Sequence, residues 1–242
     1  MKLTDFKVLS FDCYGTLIDW EAGIRQALKP LVALRREPRA PEDLLEAFAA
    51  AESAQEAATP TMRYPDVLAV VHKRLAGQWG VSAPDAMHTR FGASVPDWPA
   101  FPDSTAALRY LKNHFKLVIL SNIDRASFAG SNARLGVTFD AIYTAQDIGS
   151  YKPALRNFDY LIDHVQSDLG VDPSDILHTA QSLFHDHEPA TQKGLATAWI
   201  DRRHAQDGWG ATMPPGRQPD VDFHFTSMAE LAQAHQEALR GA

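Results

Sequence analysis

The sequence predicts an α/β protein with a doubly wound parallel sheet and an all-helical cap inserted after the first strand. Three observations lead to this fold class. Short apolar segments alternate with helix-like segments through the second half of the chain, which is typical of a parallel sheet. Between residues 18 and 95 the apolar residues have helical spacing without a strand pattern. The 242 residues suit a core with a smaller insert. We expect a core domain of residues 1–17 and 97–242 and a cap domain of residues 18–96.

The elements of the first half follow from apolar spacing and from helix-breaking residues. The first strand is expected at about residues 6–11, where apolar residues predominate. Helical spacing then predicts four helices, over residues 21–34, 42–58, 67–78 and 86–91. Thr59-Pro60 and Gly80 separate the later helices, because proline and glycine interrupt helical segments.

The core resumes after a segment rich in proline, residues 96–102. Continuous apolar runs are typical of parallel strands that are buried on both faces. Such runs predict strands at 115–120, 141–144, 175–180 and 197–200, and an edge strand at 221–225. Helices are expected between and after them, at 106–113, 126–135, 157–165, 189–194 and 228–239.

Composition excludes several classes of function. The formal net charge of −7 argues against a nucleic-acid surface. Cys13 is the one cysteine, so no intrachain disulfide can form. No signal peptide and no run long enough to span a membrane is visible. We expect a cytoplasmic protein that binds neither nucleic acid nor membrane. A homodimer is compatible with the sequence, which does not show the oligomeric state.

The segment from Val8 to Leu17 carries the main chemical signal. Its apolar strand ends at Asp12, followed by a turn at Gly15 and then by Thr16. A strand end places a carboxylate in the crevice where open α/β sheets bind ligands. Such a carboxylate can act as a nucleophile and form a covalent ester. Thr16 is expected to contact Asp12 or the substrate, with a purely structural role in the turn as the alternative.

Other polar side chains follow later strands and should converge on Asp12. Lys152 would hold that carboxylate ionised and attract an anionic substrate, whereas a solvated loop lysine is the alternative. Ser121 and Asn122 offer donors for a substrate carboxylate, and both residue types also favour helix N-caps. Asp186 is expected to orient Lys152 or the hydrolytic water. Its neighbours His185 and His187 lie two residues apart and should diverge, so we expect no metal site.

Four segments in this order resemble the haloacid dehalogenase superfamily across essentially the whole chain: Phe11 to Leu17, Leu120-Ser121-Asn122, Ser150 to Pro153 and Ser182 to Asp186. The resemblance implies a Rossmann-like core. Tyr14, two residues after Asp12, resembles the type II L-2-haloacid dehalogenases. In that branch the aspartate attacks carbon 2 of a small carboxylate, and water then hydrolyses the ester. Phosphatases of the superfamily have an acid at the position of Tyr14 and hold Mg²⁺ with an acid at the position of Gln181. The resemblance therefore implies a metal-independent hydrolase that needs no cofactor and takes a small-molecule carboxylate substrate.

The insert departs from the type II pattern. Those dehalogenases carry an arginine on the first long insert helix, but residues 45–53 contain none, and Ala49 takes its place. Glu52 follows one turn later on the same face, with an exposed helix charge as the alternative interpretation. A departing halide is an anion and is disfavoured near the carboxylate of Glu52, whereas a protonated ring nitrogen is a cation and is favoured there.

The insert and the tail are similar to azetidine-2-carboxylate hydrolases of the same superfamily. The matching segments include Asp19-Trp20-Glu21, residues 98–103, His178-Thr179-Ala180 and residues 198–203. The similarity implies opening of the ring of L-azetidine-2-carboxylate to 2-hydroxy-4-aminobutyrate. Trp20 would give a cation–π contact to the ring ammonium or pack as a hinge residue.

Two other functions stay open. One is an L-2-haloacid dehalogenase that uses the same nucleophile and releases halide. The other is a binding module on an inactive scaffold, which the set of Asp12, Lys152 and Asp186 argues against.

Overall fold

The core is a six-stranded parallel sheet with the strand order β3-β2-β1-β4-β5-β6. A computed structural model describes residues 1–35 and 40–241. The strands are β1 (Val8–Phe11), β2 (Lys116–Ser121), β3 (Ala141–Thr144), β4 (Ile176–Ala180), β5 (Ala196–Ile200) and β6 (Phe223–Phe225). All neighbouring strands pair in parallel. The predicted α/β sheet is therefore confirmed, with β6 at its edge.

The first strand lies at the centre of this sheet. In register, Val8 of β1 pairs with Lys116 of β2 on one side and with Ile176 of β4 on the other. Every residue of β1 and β4 is buried, as expected for strands that are covered by helices on both faces. The carboxyl end of β1 therefore opens between the ends of β2 and β4, where such sheets bind ligands.

Four helices follow β1 before the chain returns to the sheet: α1 (Trp20–Val32), α2 (Pro41–Ala58), α3 (Tyr64–Gln78) and α4 (Asp85–Gly92). Proline in the first turn of α2 and of α3 suits a helix start, since those N–H groups have no partner within the helix. Ile18 bridges to Ala100 where the chain leaves and re-enters the core. The domain boundaries at residues 17/18 and 96/97 stay a prediction.

The remaining helices are α5 (Ser104–Leu111), α6 (Arg125–Leu135), α7 (Ala145–Ile148), α8 (Leu155–Leu169), α9 (Glu188–Gln192) and α10 (Met228–Arg240). Sequence spacing did not predict α7, which spans a single turn and is capped by Thr144. Leu183–His187 forms a π-helical turn that the sequence did not indicate either. No helix within the described ranges is long and apolar enough to cross a membrane.

Candidate active site

Asp12 is the first residue after β1, and a tight turn holds its carboxylate in place. Thr16 Oγ1 donates to Asp12 Oδ2 at 2.7 Å and accepts from the Gln181 N–H at 2.9 Å. Gly15 has a φ of +92°, and a Cβ there would lie 2.9 Å from Trp20 Nε1. Glycine is therefore required, because it adopts positive φ without strain and leaves room for the indole. The expected contact between Thr16 and Asp12 is present.

Lys152 joins Asp12 to a second carboxylate. Its Nζ donates to Asp12 Oδ1 at 3.0 Å, to Asp186 Oδ1 at 2.6 Å and to the Leu120 carbonyl at 3.1 Å. The side chain is only 2% exposed, so the alternative of a solvated loop lysine is wrong. Burial lowers the pKa of Lys152, but the two carboxylates outweigh burial and raise that pKa. Lys152 is therefore a permanent cation within hydrogen-bond reach of both carboxylates.

The two carboxylates differ in their surroundings. Burial raises the pKa of Asp12 against the opposing effect of Lys152. Burial also acts on Asp186, but Lys152 and a 2.9 Å contact with His178 Nε2 hold the pKa of Asp186 well below its usual range. Asp186 Oδ2 is buried and has no hydrogen-bond partner among the described residues. Asp12 is thus the more basic carboxylate, and Asp186 is a fixed anion with one oxygen available.

Ser121 and Asn122 lie where β2 ends, on the wall next to Lys152. Asn122 Oδ1 accepts from the backbone N–H of Lys152 at 2.7 Å, and Asn122 Nδ2 donates to the backbone carbonyl of Lys152 at 3.0 Å. The alternative role of these residues as an N-cap is wrong, because Asp124 caps α6. Ser121 Oγ is buried and makes no hydrogen bond within the described part of the chain. It is the polar group available to a ligand on this wall.

The cap side of the cavity is formed by two glutamates on α2. Glu52 and Glu56 are both buried and lie one helical turn apart. Tyr64 OH donates to Glu52 Oε1 at 2.5 Å, and Asn122 Nδ2 donates to Glu56 Oε2 at 3.2 Å. The alternative of an exposed helix charge at Glu52 is therefore wrong.

Both glutamates hold a proton more tightly than an exposed glutamate does. Burial raises the pKa of Glu52 to about 8, against the opposing hydrogen bond from Tyr64. Burial, together with the neighbouring Glu52, raises the pKa of Glu56 well above its usual range. With a pKa of about 8, Glu52 retains its proton at neutral pH, so this wall presents a carboxylic acid group that can donate a proton.

Two aromatic residues complete the predicted set. Trp20 lines the cavity and packs edge-on against Phe48, with ring centroids 6.4 Å apart. Tyr14 also lines the cavity, and its hydroxyl group bonds to Ser131 Oγ at 2.8 Å. Burial raises the pKa of Tyr14 well above its usual range, so the hydroxyl stays neutral.

The structure brings the predicted residues together and adds others. A single cavity is lined by Asp12, Tyr14, Trp20, Glu52, Ser121, Asn122, Lys152 and Asp186, and Thr16 lies behind Asp12. The same cavity is lined by four further residues that were not predicted as site residues, Glu56, Tyr64, Ser182 and His185. Glu56 had a signal in its position four residues after Glu52 on one helix face, and Ser182 and His185 lie in the segment Ser182 to Asp186 that resembles the superfamily. Among the described lining residues, Lys152 is the one permanent cation.

The two histidines beside Asp186 point to different partners. His185 lines the cavity, and its Nδ1 lies 3.1 Å from Ser182 Oγ. His187 Nε2 instead contacts the Ala180 carbonyl at 2.9 Å. Burial lowers the pKa of each to about 4. The described residues contain no group of three or more His, Cys, Asp or Glu side chains arranged to hold a metal ion.

Comparison with known proteins gives a family and a fold. A family model described as haloacid dehalogenase-like hydrolase matches residues 6–179. No curated protein matches at a significant level. The L-2-haloacid dehalogenase from Xanthobacter autotrophicus is 19% identical, with a TM-score of 0.78 over 96% of this chain and 99% of that chain.

Two further solved structures are also similar to this chain. The Xanthobacter autotrophicus enzyme with chloropropionic acid covalently bound is 17% identical, with a TM-score of 0.76 over 96% of this chain and 98% of that chain. A defluorinating L-2-haloacid dehalogenase is 19% identical, with a TM-score of 0.76 over 96% of this chain and 97% of that chain. These names support the dehalogenase alternative rather than the ring-opening prediction, and at this identity the likeness establishes the fold alone.

Proposed function

The chain belongs to the haloacid dehalogenase-like hydrolase family, and from this premise we propose that it hydrolyses a bond at carbon 2 of a small carboxylate. Asp12 is the nucleophile. Its carboxylate oxygen attacks carbon 2, the bond to the leaving group breaks, and the leaving group takes the electron pair. The product of this half-reaction is an ester between Asp12 and the substrate. A dehalogenase of similar fold, whose structure has chloropropionic acid covalently bound, supports this assignment.

Burial of Asp12 favours the first half-reaction. A carboxylate that has lost its hydration shell is a better nucleophile than one in water. Lys152, whose Nζ lies 3.0 Å from Asp12 Oδ1, favours the ionised form against the effect of burial. Ser121 Oγ, which is buried and has no hydrogen-bond partner among the described residues, is the proposed contact for the substrate carboxylate. Both hydrogens of the Asn122 side-chain amide are donated to the Lys152 carbonyl and to Glu56 Oε2, so Asn122 is proposed to hold these groups in place beside the substrate. These polar groups would orient carbon 2 towards Asp12.

Hydrolysis of the ester needs an oriented water molecule. Water attacks the carboxyl carbon of Asp12, and the bond from that carbon to the substrate oxygen breaks. One proton of the water passes to the departing oxygen of the hydroxy acid, and the other is released as Asp12 returns to its carboxylate form. The free oxygen Oδ2 of Asp186 is the proposed acceptor for this water. Because the pKa of Asp186 lies well below its usual range against the effect of burial, its role is to orient the water rather than to hold the proton.

The leaving group is proposed to be the ring nitrogen of L-azetidine-2-carboxylate. The observation that supports this choice is the pair of buried carboxyl groups of Glu52 and Glu56 on the cap wall. Cleavage of the carbon–nitrogen bond yields a primary amine, which accepts a proton from Glu52 and becomes an ammonium. Glu52 then becomes a carboxylate next to the new cation, and it regains a proton from the one released when the ester is hydrolysed. The product is 2-hydroxy-4-aminobutyrate, and release of ring strain favours its formation.

Release of halide from an L-2-haloacid is the second candidate, and the named structural neighbours favour it. The lining of the cavity argues against it. A departing halide is an anion, and among the described lining residues Lys152 is the one permanent cation and is already shared by two carboxylates. A haloacid also brings a net negative charge to this site, whereas azetidine-2-carboxylate is a zwitterion.

A substrate panel tests these two proposals. Purified protein is incubated with L-azetidine-2-carboxylate or L-2-chloropropionate, and primary amine and chloride are measured. Amine release without chloride release supports the ring-opening proposal, and chloride release without amine release supports the second candidate. Asp12→Asn is the control that must abolish either activity. If neither compound is turned over, both substrate assignments are wrong.

A further inference from the structure

A buried histidine directly beneath the catalytic groups has no place in the reaction described above. His178 lies in the middle of β4 and is fully buried, with the ring of Phe158 edge-on at 5.2 Å. The sheet register pairs His178 with Ser10 of the neighbouring strand β1. A polar pair inside a sheet that is covered on both faces is costly unless its groups are hydrogen-bonded.

The polar groups of this pair connect to the active site. Ser10 Oγ lies 2.9 Å from His178 Nδ1, and His178 Nε2 lies 2.9 Å from Asp186 Oδ1. Asp186 Oδ1 also accepts from Lys152 Nζ, which donates in turn to Asp12. A continuous chain of hydrogen bonds therefore runs from the interior of the sheet to the nucleophile.

The charge of Asp186 determines the direction of these bonds. An ionised carboxylate can only accept, so His178 Nε2 must carry the hydrogen. In the neutral ring Nδ1 then has a lone pair, and Ser10 Oγ donates to it. We infer that His178, in the tautomer that Asp186 selects and that Ser10 supports, is a positioning residue that fixes the orientation of Asp186.

The position of Asp186 matters because its two oxygens have different tasks. Oδ1 receives two donors, Lys152 Nζ and His178 Nε2, while Oδ2 has no partner among the described residues. With the His178 donor removed, the carboxyl group can rotate about its Cβ–Cγ bond and Oδ2 loses its fixed direction. The ester formed on Asp12 would then meet a poorly oriented water molecule, so hydrolysis slows while substrate binding is retained.

Substitutions that differ in hydrogen-bonding capacity test this inference. His178→Leu removes the donor, His178→Gln restores an N–H group of similar reach, and Ser10→Ala removes the hydroxyl group that supports the tautomer by donating to Nδ1. His164→Gln is the matched control, because His164 bonds to the Tyr160 carbonyl on α8 and does not line the cavity. The rate part of the test rests on the proposed function and uses whichever of the two panel substrates the wild-type protein turns over.

The inference predicts a specific pattern of rates. His178→Leu lowers kcat by ~10- to 100-fold, the loss expected for one hydrogen bond to a charged group. KM falls with kcat, so kcat/KM stays within about twofold of the wild-type value, because only the step after ester formation slows. His178→Gln recovers at least ~3-fold of that loss. Ser10→Ala gives a smaller decrease in the same direction. A wild-type kcat in His178→Leu, with only a lower urea midpoint, would show that His178 is merely a packing residue.

A spectroscopic measurement tests the tautomer without substrate. In ¹⁵N-histidine-labelled wild-type protein, the His178 signals must show protonation at Nε2, and Ser10→Ala must add a population protonated at Nδ1. A wild-type ring protonated at Nδ1 overturns the inference. Because this readout needs neither turnover nor the His178→Leu variant, it distinguishes failure of the inference from failure of the proposed function.

Discussion

Substitution of Glu52 by glutamine gives the sharpest test of the cap wall. The glutamine carbonyl can still accept from Tyr64 OH, but the variant cannot ionise. Burial raises the pKa of Glu52 from 4.5 to about 8. Below pH 4.5 the folded and unfolded chains both hold the proton, so the stability it contributes is fully present. As the pH rises towards 8 the unfolded chain releases the proton first, and stability is lost.

The magnitude follows from these two pKa values. Each pH unit between them lowers the free energy of unfolding by about 1.4 kcal/mol. Between pH 5 and pH 8 wild-type protein therefore loses about 3 to 4 kcal/mol through Glu52 alone. Glu52→Gln cannot ionise and does not show this loss. The free energy of unfolding of the variant, measured relative to that of wild type, should therefore rise by about 3 to 4 kcal/mol from pH 5 to pH 8.

Urea unfolding at pH 5 and pH 8 measures the difference. Wild type and Glu52→Gln are compared with Glu46→Gln, an exposed position on the same helix, which should follow wild type within about 0.5 kcal/mol. If the difference between Glu52→Gln and wild type is the same at both pH values, Glu52 is ionised in the folded protein. The role of Glu52 as proton donor would then be refuted. If Glu52 is the donor, amine release by wild type should decline as the pH rises through about 8, because Glu52 loses its proton there.

Three further predictions concern the reaction and the buried ion pairs. Asp12→Asn should lower turnover at least ~1,000-fold in a steady-state assay, since the amide cannot form the ester, and retained activity would exclude a covalent route. In a single turnover in H₂¹⁸O, mass spectrometry should find the label in Asp12, because water attacks its carboxyl carbon; label found directly in the product hydroxyl would indicate direct attack on the substrate. Lys152→Met should lower the free energy of unfolding at pH 7 by ~3–5 kcal/mol, because it leaves Asp12 and Asp186 buried without their cation. An unchanged urea midpoint would contradict that account.

The sheet was predictable from local pattern because parallel strands are buried on both faces. Residues 141–144 and β3 coincide, and the central strands differ from their predicted bounds by one or two residues. The single helical turn α7 and the π-helical turn at Leu183–His187 were not predictable. Such short elements depend on capping and on contacts with neighbouring segments rather than on a repeated apolar spacing.

The proximity of Asp12, Lys152 and Asp186 was predictable for a related reason. Parallel strands bring their carboxyl ends to one edge, so polar residues that follow strands converge. Asp12, Lys152 and Asp186 accordingly lie within hydrogen-bond distance of one another. The partners of Asp186 were not predictable, since His178 lies inside a strand and resembles any other core residue in the sequence.

The amino-acid sequence by itself determined the parallel α/β core, the helical cap and the carboxylate at the end of β1, because these depend on apolar periodicity and strand order. Only the tertiary structure decided the chemical state of the cap wall. The sequence of α2 places Glu52 and Glu56 on one face, but whether that face meets solvent or Asn122 and Tyr64 depends on how the cap packs on the core. Burial then sets their pKa values, since removing a carboxyl group from water penalises its charged form.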